Sequence, residues 1–219
     1  MILTLTFLSI VLCLLVITFY ILRQSTTRYK LIFSAIIGWL FLTAGLAKSG
    51  FLMTFNTLPP RMVIVLIPVV VFLITLTRSK NVKSIIQATP QSILIYAQTC
   101  RFGIELLFYV LAAQQIIPDI MTWHGRNWDI LIGLSAPLIG YLYCQKHVIS
   151  KVVLNIWNYL GIALLLNVMT HGLLSAPTPF QVFHVEPANT FVATWPYVWI
   201  PAFVIPCAFA FHIFSIRKQ

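Results

Sequence analysis

The residues best placed to do chemistry sit where charge is expensive. Arg101 and Glu105 lie near the middle of Gln91–Gln115, QSILIYAQTCRFGIELLFYVLAAQQ, a stretch long and apolar enough to cross a bilayer. A lone charge at the bilayer centre costs roughly 2.5–3.5 kcal/mol on insertion scales, so such residues face protein or water and mark function. Set four positions apart, the two share one helical face, about 6 Å from each other along the axis. Gln98 precedes them on that face, and Tyr109, Ala112 and Gln115 extend it. This predicts a polar stripe aimed into a helix bundle. Three readings stay open: the charges neutralise each other and pin packing, one of them also meets a ligand, ion or proton, or the stripe contacts another subunit. A buried pair alone does not choose among these.

A second group follows in the turn Gly125-Arg126-Asn127-Trp128-Asp129. Arg126 offers a bidentate donor for a carboxylate or phosphate, with Trp123 and Trp128 as apolar walls. Downstream, Pro137 and the prolines at 196, 201 and 206 free backbone carbonyls that need partners or line a cavity. With Asn158 and His171, these residues describe an outward-opening polar cleft floored by Arg101 and Glu105. The plainer alternative pairs Arg126 with Asp129 inside the turn and makes Asp129 a helix-capping acid. Asn158 and His171 fall on nearly opposite faces of their helix at about 100° per residue.

Metal chemistry has an inventory but no spacing. Asp119, His124, Asp129, His171, His184 and Glu186 lie outside or at the outer helix ends, and a catalytic zinc needs three such ligands and an open position. No HExxH, HxxxH or paired histidine occurs. No metal site and no cofactor is therefore assigned, although His124, His171 and His184 are the residues a metal enzyme would draw on. His171 and His212 sit at opposite ends of their helices and cannot share a haem. The last span lacks the lysine a retinal protein requires. No GxSxG nucleophile elbow is present.

The elements that must position these groups are apolar helices. The 219 residues are 60% hydrophobic and 8% charged, against about 25% charged in soluble domains. Seven spans are expected, at about 2–22, 31–47, 62–77, 91–115, 130–144, 152–173 and 196–216, forming a single all-α heptahelical membrane domain. The first lacks the charged start and small-residue cleavage site of a signal peptide. Gly38 and Gly45 share a face of the second, where they suit a close neighbour. The net charge of +10 is spread in small clusters between apolar runs, which points to topology and anionic lipid and away from nucleic acid. Arg23, Arg28, Lys30, Arg78, Lys80, Lys83, Lys146, Lys151, Arg217 and Lys218 fall on one side, and Lys48, Arg61 and Arg126 on the other. That asymmetry places the C-terminus in the cytoplasm and the N-terminus outside.

The second part of the chain resembles a family of uncharacterised bacterial integral membrane proteins. The likeness rests on Arg101-x3-Glu105, Pro118-x2-Met121-Thr122, Gly125-Arg126-Asn127-x-Asp129-Ile130, Ala136-Pro137 and Trp157-Asn158. It continues through Ser175-Ala176-Pro177-Thr178-Pro179-Phe180, Glu186-Pro187-Ala188-Asn189 and the proline-spaced last span with His212, covering roughly 90–219. The resemblance implies a bacterial cytoplasmic membrane and carries no assigned activity. The leading expectation is non-enzymatic: binding, sensing or transport of a small molecule at the cleft, with the lipid bilayer as the other partner. The alternatives are a metal-dependent intramembrane enzyme and a structural or partner-binding membrane subunit.

Overall fold

A computed structural model of the chain describes residues 1–78 and 82–218, and every regular element among them is helical. We number the helices α1 (Ile2–Ser25), α2 (Tyr29–Lys48), α3 (Val63–Arg78), α4 (Lys83–Ala88), α5 (Gln91–Ala113), α6 (Ile130–Gln145), α7 (Lys151–Leu174) and α8 (Ile200–Arg217). Five of them, α1, α2, α5, α7 and α8, are long and apolar enough to cross a membrane, while α3 and α6 are shorter apolar helices. Lys80 and Gln219 lie outside the described residues. The last helix starts at Ile200 and not at Pro196, which sits in a turn.

Helix α8 is the hub, packed against α3, α5 and α7, while α6 lies along α5 and α1 leans on α2, α4 and α5. Phe7 and Leu14 of α1, Leu107 and Phe108 of α5, and Phe203 and Phe211 of α8 share the main apolar core. Small residues set the close approaches. A Cβ added at Gly133 of α6 would fall on the backbone of Phe102, and one at Gly140 on the Tyr96 ring. The expected role of Gly38 and Gly45 is not what the fold uses, since an added Cβ at either meets nothing within 4 Å.

Pro206 acts through the carbonyl it strips of a donor. In a helix Ala202 O would accept from the N–H of residue 206, which is proline and has none. The Trp39 indole of α2 donates to that oxygen at 3.1 Å, and Trp199 Nε1 returns a bond to Leu40 O at 3.0 Å. Helix α8 opens in a wide π turn, Ile200–Val204, beside these contacts. At its other end Lys218 Nζ donates to Gln87 O and Thr89 O at 2.8 and 2.7 Å, and Arg217 Nη1 to Leu76 O. The basic C-terminal turn thus ties down the ends of α3 and α4.

Candidate functional site

Arg101 is buried on α5, 2% exposed, and its guanidinium is held from three other directions. Nε donates to Asp129 Oδ2 at 2.6 Å and Nη2 to Asp129 Oδ1, a bidentate fork on one carboxylate. Nη2 also reaches Gly161 O of α7 at 3.2 Å, and Nη1 meets His212 Nε2 of α8 at 2.8 Å. An arginine only donates. His212 Nε2 therefore accepts, its proton sits on Nδ1, and that Nδ1–H donates to Asn158 Oδ1 at 2.8 Å. Gly161 serves twice, since a Cβ there would strike the His212 ring.

The expected Arg101–Glu105 pair is not formed, and the only salt bridge among the described residues joins Arg101 to Asp129. Arginine followed by glutamate at i, i+4 is the weaker orientation, and a two-pronged partner arrives from the loop before α6. That loop turns some of its side chains inward, with Ile117, Met121, Thr122, Asn127 and Asp129 buried while Ile116 and Trp128 stay exposed. Asp129 meets α5 at Arg101, midway along the helix, which is why α6 is short. Asn127, at the loop's inner edge, is fully buried. Only glycine fits at 125, where a Cβ would overlap the backbone of Asp119 and Ile120. Asn127 Nδ2 then donates to Glu105 Oε1 at 2.7 Å and to Met121 O at 2.9 Å, while Asn127 Oδ1 accepts from Asp129 N at 3.1 Å. Asp129 occupies the N-cap position of α6, but its side chain makes no capping bond because Arg101 holds it.

The hydrogen bonds continue along α8. Asn158 Nδ2 donates to Ser215 Oγ at 2.8 Å, and Gln91 Nε2, at the start of α5, donates to the same hydroxyl at 2.5 Å. A line of hydrogen bonds therefore runs from Asp129, at the N-cap of α6, through the buried Arg101, His212, Asn158 and Ser215 to the half-buried Gln91, joining α5, α7 and α8. Higher on α5, Gln98 Nε2 donates to Ala208 O at 3.0 Å. The polar stripe read on α5 holds for Gln98, Arg101 and Glu105 but stops there, because Tyr109 is 43% exposed and stacks on Trp123.

Beside the charged cluster lies a cavity of about 370 Å³. Arg101, Glu105 and Asp129 are its charged lining, and the rest is largely apolar, including Leu66 of α3, Phe108 of α5, Val168 of α7 and Val204 of α8. Sequence reasoning expected a polar cleft among the last four spans. The cavity instead draws one wall from α3 and another from the segment after α7, where Asn189 Nδ2 holds Gly172 O at 2.8 Å. Glu105 is 1% exposed, and its Oε2 has no hydrogen-bond partner.

Of the seven residues singled out from the sequence, Arg101, Glu105, Asn127, Asp129 and Asn158 join one network. Arg126 and His171 stand apart from it. The Arg126 guanidinium lies 5.4 Å from the Phe183 ring, and His171 stacks on that ring at 5.2 Å, so the expected roles of both at the cleft give way to a separate aromatic contact. His124 packs against Tyr109 and Trp123, and His184 is exposed. Among the described residues, no three His, Cys, Asp or Glu side chains gather as a metal-binding group. Sequence reasoning missed His212, Gly161, Ser215 and Asn189 as site residues. Only His212 carried a usable signal, as an ionisable residue inside an apolar helix.

No curated protein and no solved structure matches the chain. The pattern of a family described as a domain of unknown function, DUF8737, matches residues 59–218, which adds α3 and α4 to the part of the chain where a resemblance was legible. With more than half of its length matched, the chain belongs to the DUF8737 family.

Proposed function

We propose that the chain is a seven-span protein of a bacterial cytoplasmic membrane, N-terminus outside and C-terminus inside, that binds a small molecule in the cavity beside Arg101, Glu105 and Asp129. The observation that carries the reading is Glu105, a buried carboxyl that lines an apolar cavity with one oxygen unpartnered. A buried polar atom without a partner costs about 1–3 kcal/mol, and an occupant that completes its hydrogen bonds removes that cost. The volume of about 370 Å³ falls within the usual range of small-molecule sites, roughly 300–1,000 Å³. Binding is the common step of sensing and transport, and both remain within the proposal.

The topology rests on five long and two shorter apolar helices and on the ten-to-three bias of basic residues. Cysteines placed at Thr57 and Gln181 in a cysteine-free background test it. An impermeant thiol reagent applied to intact cells should label both, and protection of either refutes the orientation. For binding, the full chain is purified in native-lipid nanodiscs and examined by native mass spectrometry beside Val168→Trp, which fills the cavity. A bound mass in the wild type that Val168→Trp lacks is expected. An empty wild type, or a mass that persists in the variant, overturns the reading.

A further inference from the structure

The cavity lining presents spare acceptors, and its one cationic side chain, Arg101, is already paired with Asp129. Among the described residues, the buried side-chain atoms without a hydrogen-bond partner are Thr18 Oγ1, Gln98 Oε1, Glu105 Oε2, Asn155 Oδ1 and Asn189 Oδ1. Two of these five residues, Glu105 and Asn189, line the cavity. Their orientations are fixed by the protein. Asn189 must turn Nδ2 to the Gly172 carbonyl, which leaves Oδ1 as the orphan. Glu105 Oε1 is taken by Asn127 Nδ2, whose own orientation is set by Met121 O on one side and Asp129 N on the other.

Arg101 is already engaged and already neutralised. Four of its five N–H donors are directed to Asp129, Gly161 O and His212 Nε2, and the bidentate Asp129 carboxylate cancels its charge. Arg101 and Asp129 cancel formally, and His212 accepts from the arginine as a neutral ring. Glu105 is thus the one uncompensated ionisable group on the cavity wall. A carboxylate or phosphate would find an acid and no free positive charge on this wall, whereas an ammonium supplies the charge that favours an ionised carboxylate and the missing N–H donors. The remaining wall is hydrocarbon, suited to an alkyl or aryl body.

Building on the reading of the cavity as a ligand site, we propose that its ligand class is a lipophilic amine, with the ammonium donating to Glu105 Oε2 and the apolar body against Leu66, Val168 and Val204. Asn189 Oδ1 supplies a second acceptor in the same cavity.

The test uses the full chain in nanodiscs of zwitterionic lipid, with octylamine, octanol and octanoate as matched probes. Thermal unfolding and calorimetry read binding, and Val168→Trp reports partition into the lipid alone. Octylamine should bind the wild type at least tenfold more tightly than octanol, and octanoate no better than it binds Val168→Trp. Glu105→Gln should lower octylamine affinity at least tenfold, to the octanol level, with octanol within twofold of its wild-type value. Glu105→Asp keeps the charge and should keep the preference for the amine, which a purely structural role for Glu105 would not produce. If either Glu105 variant fails to fold, the three-probe comparison on the wild type decides alone. Octanol or octanoate binding as tightly as octylamine, and lost in Val168→Trp, overturns the amine assignment and leaves the cavity a ligand site. No difference between wild type and Val168→Trp for any probe overturns both proposals.

Discussion

Helices α1 and α8 are both apolar enough to cross a bilayer, yet they bury themselves to opposite degrees. The more hydrophobic one, α1, has 17% of its most apolar stretch inside the protein, whereas α8 has 67%. In water the order would be reversed. Lipid removes the driving force for burying hydrocarbon, so helices associate through close packing and through polar groups that have no partner in the bilayer. Helix α1 satisfies three of its hydroxyls locally, with Thr6, Ser9 and Ser25 bonding back to the carbonyls of Ile2, Leu5 and Ile21, and leaves Thr18 Oγ1 without a partner. Helix α8 cannot do so. Its Ala202 carbonyl is orphaned by Pro206, and His212 and Ser215 need partners from other helices.

The contrast is broken most decisively at its charged centre. Replacing Arg101 with Leu should destabilise the protein by about 3–5 kcal/mol, because Asp129 is left buried and unpaired. Arg101→Leu with Asp129→Leu should recover most of that loss, and unfolding in detergent measures both. Next comes Gly161→Leu, which drives a side chain into the His212 ring and should cost about 1–3 kcal/mol by overpacking. Asn158→Leu strands the His212 Nδ1–H and should cost about 1–3 kcal/mol for the unpaired buried donor. On the exposed side of α2, Gly38→Ala has open space for its Cβ and should leave stability unchanged or raise it by up to about 1 kcal/mol through helix propensity. The smallest effect belongs to α1. Leu12→Ala, at a position 62% exposed, should stay within about 0.5 kcal/mol. A loss at Leu12 as large as that at Asn158 would show that α1 covers a protein interface and not lipid.

The helices themselves were legible because an apolar run long enough to cross a membrane needs no partner to be recognised. Arg101 and Glu105 were legible as buried for the same reason, since charge inside such a run must be shielded. Their partners were not. The pattern on one helix offers Arg101 its neighbour four positions on, but the fork geometry of a guanidinium is better met by Asp129, 28 residues away. The loop that delivers Asp129 reads as a surface turn, although Ile116, Ile117, Ile120 and Met121 already gave it an apolar character suited to burial. Gly161 could not be found at all, because a glycine that supplies a carbonyl and makes room for a ring leaves no trace in periodicity. Asn189 hides similarly, in a long segment whose path over the end of α7 has no signature in composition.

The anchoring of Arg101 also has a consequence for how the chain is made. The carboxylate that neutralises it is synthesised 28 residues later, and the histidine that accepts from it 111 residues later. The fifth helix therefore leaves the ribosome before its neutralising carboxylate, and its network is complete only when the last helix has followed. A chain that ends before the last helix would hold the Arg101–Asp129 pair but lack the His212 acceptor that completes the site.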